Sequence, residues 1–212
     1  EVLYVSALSA GLGSNDIGLD RGQLGGTAIV RFDRVGNKVL MVQPNYDYRV
    51  VTDNPYETRA MEEAFAKSTL WGFTAAAESG GRVLVDMTDF LLRDTHGIVA
   101  RLRPASYRLD RSRSVVNMDR TKAFPKNTEL DVAVTFVADA PAGRGGGPGL
   151  QGGRIGDVAA SAEAITLGLH HSFLELPGPG YEPREYDPRS GYFGLSYADY
   201  STPLGTPMIK RF

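Results

Sequence analysis

Thr27-Ala28-Ile29-Val30-Arg31-Phe32-Asp33-Arg34-Val35-Gly36-Asn37-Lys38-Val39-Leu40-Met41-Val42-Gln43 is the stretch from which the fold class can be read. Its arms, Thr27 to Asp33 and Lys38 to Gln43, are rich in β-branched and apolar side chains. They flank Arg34-Val35-Gly36-Asn37, where the Gly-Asn pair suits a tight turn, so the stretch reads as a β-hairpin. The pattern returns downstream, with Leu70 to Ala77 and Arg82 to Met87 around Ser79-Gly80-Gly81. Two hairpins in the first half predict a mainly antiparallel, β-rich α+β domain with one or two short helices.

Strand signals continue on both sides of this nucleus. Val2 to Val5 opens the chain, and Tyr107 to Leu109, Ser114 to Met118 and Leu130 to Val137 read as further strands. The last has Leu130, Val132, Val134 and Phe136 alternating on one face. Ala159 to Leu176 contains enough alanine for a helix, but Ile165, Leu167, Leu169, His171 and Phe173 alternate and Gly168 disfavours helix, which predicts a long strand. Helical signals are fewer. Asn54-Pro55-Tyr56-Glu57 supplies an N-cap, a Pro at the first helical position and a Glu three residues after the cap, predicting a helix over about 55–67. Thr88-Asp89 predicts the cap of a short helix through Phe90 to Leu92, with His96-Gly97 near its end and a further turn over Ile98 to Leu102.

The remaining segments are built from turn formers. Ala10 to Gly26 holds six glycines among Ser, Asn and Asp, as an ordered loop would. It lacks both the third Gly with an immediate helix of a dinucleotide fingerprint and the Gly-Lys-Ser/Thr of a phosphate loop, so nucleotide binding is a poor reading. The Gly-rich run at about 140–153 reads as a flexible loop, because it has too little apolar surface to offset its ordering entropy. Residues 177–212, rich in Pro, Gly and Tyr, read as an extended wrapping segment with a short strand near Tyr192 to Tyr197. The whole chain, 1–212, is expected to be a single β-rich domain.

Composition narrows the function classes. At 212 residues, with 42% hydrophobic and 23% charged residues, the chain is long enough for one sizeable core or two small ones. A net charge of −2 with arginines spread among acids gives no field for a phosphate backbone, so no nucleic-acid partner is expected. No apolar run reaches the roughly 20 residues of a membrane-spanning helix. The chain opens at Glu1 without an initiator Met and reads as a processed protein or an excised domain. With no cysteine, thiolate nucleophiles and thiolate metal ligands are excluded.

Three histidines are the candidate metal ligands: His96, His170 and His171. Neighbours on a strand point to opposite faces, so His170 and His171 would not grip one ion, and no His-Glu-x-x-His occurs anywhere in the chain. His96 would have to converge on one of them through the fold. No catalytic residue is assigned, because a Gly-x-Ser-x-Gly elbow is absent and Ser172 on a strand would face away from His171. The acids Asp86, Asp89, Glu182, Glu185 and Asp187 could serve a sugar site, but Arg184 and Arg189 beside the last three favour ion pairing. Trp71, Phe73, Tyr46, Tyr48 and the tyrosines from Tyr181 to Tyr200 could line a groove, although aromatics on strands more often pack in a core. An exposed tyrosine-rich tail would favour contact with another protein surface.

Several of these stretches, taken in order, carry a family resemblance. Ala10-Gly11-Leu12-Gly13-Ser14-Asn15, Gly18-Leu19-Asp20-Arg21-Gly22-Gln23, Phe90-Leu91-Leu92-Arg93-Asp94 and the run from His170 through Phe193 resemble a domain of unknown function. That domain lies immediately ahead of the catalytic domain in bacterial zinc-dependent metallopeptidases of the metzincin-like kind. The resemblance implies a zinc site in the following domain, on a His-Glu-x-x-His helix. It also implies an exported, periplasmic or secreted parent, and a segment at 177–212 leading toward a catalytic domain not included in this sequence. No cofactor is expected in this segment. The expected partners are the following catalytic domain and a peptide or protein substrate; an inhibitory contact with zinc would have to use a carboxylate or histidine. Two other readings stand beside it: a free-standing extracytoplasmic module binding peptide or glycan, and an enzyme with a site gathered around His96 and His170 or His171.

Overall fold

The computed structural model describes residues 1–13, 16–102, 106–139, 155–178, 180–203 and 205–211. The predicted Gly-rich loop at about 140–153 lies outside these residues, as do Ser14, Asn15 and Phe212. In chain order the elements are β1 (Val2–Ala10), β2 (Leu24–Val35), β3 (Lys38–Gln43), β4 (Tyr48–Arg49), α1 (Pro55–Ala64), β5 (Ser68–Ser79), β6 (Arg82–Val85), α2 (Thr88–Leu91) and α3 (Ile98–Arg101). They continue with β7 (Tyr107–Val116), β8 (Lys122–Ala123), β9 (Asn127–Ala138), α4 (Ile155–Val158), β10 (Ala164–Glu175), β11 (Leu195–Asp199) and β12 (Ile209–Arg211). The protein is a β-rich α+β fold built mainly on antiparallel sheet. Its contacts fall into two compact units: Glu1–Ile29 with Phe73–Glu175, and Val30–Gly72 with Leu176–Phe212.

The first unit is organised around β10, the strand predicted from the alternation of Ile165 to Phe173. It pairs with β1 from Val2↔Glu175 to Leu8↔Leu169 and with β9 from Ala164↔Val137 to Leu174↔Asn127. Leu8, Val132, Val134, Phe136, Ile165, Leu167 and Leu169 are buried, which places the core on the alternating apolar faces. The region between Tyr107 and Met118, predicted as two strands, contains one strand, β7, paired with β9 through a register shift between Asp110 and Val115. At that shift the Asp110 carboxylate accepts from the Ser112 amide and hydroxyl and from Arg113 Nε. These bonds absorb the extra residues as a bulge, so the strand resumes. They also hold the Asp110 carboxyl at about 2, below its ordinary range, the Ser112 hydroxyl contributing most and Arg113 next.

Both hairpins form with two-residue turns. Val35↔Lys38 closes on Gly36-Asn37 and Ser79↔Arg82 closes on Gly80-Gly81, whose φ values of 57° and 73° are the positive pair of a type I′ turn. The short helices differ from expectation at their caps. Met87, not Thr88, occupies the N-cap of α2, and Asp86 accepts from the Thr88 amide. Gly97 begins α3 in a left-handed conformation instead of ending α2, while the Asp94 carboxylate takes the otherwise orphan Ile98 and Val99 amides at 2.7 and 2.9 Å.

In the second unit α1 has the predicted Asn54 cap, whose side chain accepts from the Tyr56 amide at 3.0 Å, and it ends at Ala64, three residues early. No residue of α1 is buried. Its C-terminal neighbour Phe65 stacks on Tyr48 with ring centroids 3.8 Å apart. The tail contributes β11 and β12, and β11 lies between β12, antiparallel, and β4, parallel. The parallel pair was not foreseen.

Candidate functional site

The adjacent histidines point to opposite faces of β10, as the strand geometry requires. His171 is fully buried, with Nδ1 2.9 Å from the Tyr4 hydroxyl. Its ring sits in an aromatic group: Tyr4 at 6.0 Å and Phe90 at 5.9 Å between centroids, with Phe73 against Phe90 at 5.7 Å and Phe173 against Tyr4 at 5.0 Å. Burial pushes the His171 imidazole down to about 4, the nearby Arg93 guanidinium pushes the same way, and the Leu91 main chain opposes both. The ring is therefore neutral at physiological pH.

His170 occupies the other face, in a polar network centred on Glu129. Its Nε2 lies 2.6 Å from Glu129 Oε2 and its Nδ1 3.6 Å from Asp131 Oδ2. Ser172 donates to the same Glu129 oxygen, Asn127 donates to the other, and Arg120 lies 3.5 Å from Asp131. Burial raises the Glu129 carboxyl, but the bonds from Ser172, Asn127 and His170 outweigh it and leave the group below its usual value. Cross-strand register assembles this network: Ser172 opposes Glu129 and His170 opposes Asp131. Ser172 faces away from His171 and shares its face with His170, as i and i+2 on a strand do. Its proton is directed at a carboxylate and the His170 Nε2 is spent on that same carboxylate, so the pair is not arranged as a nucleophile with its base. The network ties β9 to β10.

His96 is 6% exposed and sits between α2 and α3, with Nε2 3.4 Å from Gln23 Oε1. Gly25 of β2 makes room for it, because a Cβ there would come 2.7 Å from His96 Nδ1 and 2.8 Å from Ser6 Oγ. Burial, then the Arg101 cation, lower its affinity for a proton, and Asp94 partly opposes them. The three histidines do not form a ligand group. Among the described residues no set of three or more His, Cys, Asp or Glu is placed to hold a metal ion.

The other candidates separate. Asp86 caps α2, and Asp89 pairs with Arg111. Asp187 pairs with Arg189 at 2.6 Å on the surface and accepts its amide, while Glu185 bridges to Arg211 through the main chain. Phe73 is core, whereas Tyr48 packs on Phe65 and Tyr200 at the surface of the second unit. There Arg49 lies over the Tyr197 ring at 4.0 Å. The tail leaves Tyr181, Tyr192, Phe193, Leu195 and Met208 exposed, Phe193 at 99%. Glu129 and Asp131 escaped the sequence reading. The alternation that placed Leu130 and Val132 inward also placed these acids on the opposite face, but only register shows that they meet His170 and Ser172.

The fold and its residues thus define a β-rich domain whose histidines and many of whose acids serve structural contacts, with an aromatic tail left in solvent. The model of the domain of unknown function DUF5117 matches residues 22–212, and the chain belongs to that family. No curated protein and no solved structure matches the chain.

Proposed function

We propose that this domain is the non-catalytic N-terminal module of a bacterial, extracytoplasmic zinc-dependent metallopeptidase, serving as a folding, docking or cleft-covering partner for a following catalytic domain that supplies the zinc ligands. The observation that supports a docking role most directly is the run Tyr192, Phe193 and Leu195, all exposed in the second unit. Large apolar groups of this kind, with tyrosine tips that remain hydrated, are characteristic of surfaces that another protein covers. The chemistry within the chain is consistent with such a role, since His170, His171 and Ser172 are each held in a structural contact. The peptidase parent itself rests on the ordered resemblance from Ala10 through Phe193.

Expressing the parent polypeptide with and without residues 1–212 tests the reading. Loss of soluble, correctly folded catalytic domain, or a changed substrate range, is the expected result; unchanged folding, activity and substrate range sink it. The same exposed aromatics favour one second reading, a free-standing module that binds peptide or glycan. Calorimetric titration of the domain with such ligands separates the two, because saturable heat from a peptide or glycan, abolished by Phe193→Ala, belongs to the second reading alone.

A further inference from the structure

The strand order ends at β7 on one side and at β6 on the other, and the two edges are finished differently. β7 carries the register shift between Asp110 and Val115, and its Arg108, Arg111 and Arg113 are each paired with an acid. A bulge and charged side chains of this kind keep a further strand from adding. At the β6 end the register shift falls in β5, between Ala75 and Ala77, and β6 itself stays regular. Among the described residues no strand pairs with its far side.

The main-chain groups of β6 alternate in direction. Ser79↔Arg82 closes the two-residue turn, and such a pair exchanges both of its main-chain bonds. Arg82 and Leu84 thus turn their N–H and C=O groups toward β5, while Val83 and Val85 turn theirs outward. Exposure alternates as well: Arg82, Leu84 and Asp86 are exposed, and Val83 and Val85 are half-buried. Leu84, opposite the small Ala77, is 64% exposed. Among the described residues Arg82 forms no ion pair, and Asp86, which accepts from the Thr88 amide, meets no cation.

We propose that β6 is a self-association edge, at which a second copy of this chain adds its own β6 antiparallel about a twofold axis through Leu84. In that register the outward main-chain groups of Val83 meet those of the partner's Val85, and the axis repeats the pair. On one face Leu84 packs on the partner's Leu84, and Arg82 lies opposite the partner's Asp86 on either side of the axis, placing unlike charges directly across the ladder. On the other face Val83 lies beside the partner's Val85. A slip of one residue would set Arg82 against the partner's Val85 and outward main-chain groups against inward ones, so the sequence selects this register. β6 has four residues, and an edge this short buries less than the roughly 1,200 Å² of a stable complex, so the association is weak. It uses first-unit residues alone and does not depend on the aromatic tail.

Sedimentation velocity of the full chain from about 5 to 500 µM tests this, with a monomer–dimer equilibrium expected. Arg82→Asp and Asp86→Arg should each raise the dissociation constant about tenfold, because like charges then face each other across the axis. Mixed in equal amounts, the two variants should associate again, since the acidic edge of one meets the basic edge of the other. A chain that stays monomeric, variants that associate as the unaltered chain does, or a mixture that stays monomeric overturns the proposal. If Asp86→Arg does not fold, hydrogen exchange of the unaltered chain decides. The Val83 and Val85 amides should gain protection as concentration rises, whereas the Leu84 amide, already turned toward β5, should not. Protection that is independent of concentration, or that rises only when an extended peptide is added, refutes pairing between copies.

Discussion

The two units differ most in what they bury. Among the described residues, eighteen of the buried hydrophobic side chains lie in the first unit and three, Val30, Met41 and Val42, in the second. The first unit layers alternating strands over Phe90 and Phe136 and closes the interior around a histidine. In the second unit α1 is a helix without a buried residue, and aromatic pairs such as Tyr48 with Phe65 remain near the surface. Closely similar turn chemistry thus serves two different ends. In one unit it builds an interior that specifies the fold, and in the other it displays aromatic side chains to solvent.

The comparison predicts unequal responses to mutation. Phe136→Ala, in the centre of β9, should cost about 3–5 kcal/mol in urea unfolding, whereas Phe65→Ala should cost about 1 kcal/mol, because its stacking partner is already partly hydrated. Similar losses at both positions would erase the distinction between the units.

Acid should act through the first unit. His171 is neutral in the fold and titrates near 6.5 when exposed, so its folded value is depressed, to about 4. The stability it lends is complete above pH 6.5, drains as pH falls toward 4, and amounts to about 3 kcal/mol at the acid end. His171→Gln should flatten that part of a stability-versus-pH curve; an unchanged curve would mean that other groups govern acid lability. Tyr4→Phe removes the hydroxyl from the His171 Nδ1 and should cost about 1–3 kcal/mol at pH 7 by thermal or urea melting, while leaving the aromatic packing in place.

Smaller effects belong to the second unit. Asn54→Ala should destabilise by about 1 kcal/mol through loss of the α1 cap. Circular dichroism combined with exchange of the α1 amides should show this as local fraying, since the helix has no buried face to anchor it.

The legible parts of this protein were those in which neighbouring residues carry the signal. Gly36-Asn37 and Gly80-Gly81 permit turns that few other pairs permit, Asn54-Pro55 starts a helix, and alternation along Ile165 to Phe173 distinguishes strand from helix. From that alternation alone the opposed directions of His170 and His171 could be foreseen. Less legible were positions whose role is fixed by a distant partner. Asp94 became a cap because Gly97 turned the chain back onto it, and Asp110 converted a predicted break into a bulge. Gly25 and Gly26, which read as loop, entered β2, where Gly25 leaves room for His96.

Sequence by itself determined the β-rich class, the hairpins, the helix start at Pro55 and the opposite facing of the paired histidines, because each follows from steric preferences within a few residues. Tertiary structure alone decided that His171 would be buried against Tyr4 and His170 held by Glu129 and Asp131, and that β11 would pair in parallel with β4. These outcomes depend on register between strands far apart in the chain, and register is set by the packing of whole faces, which no local stretch of residues encodes.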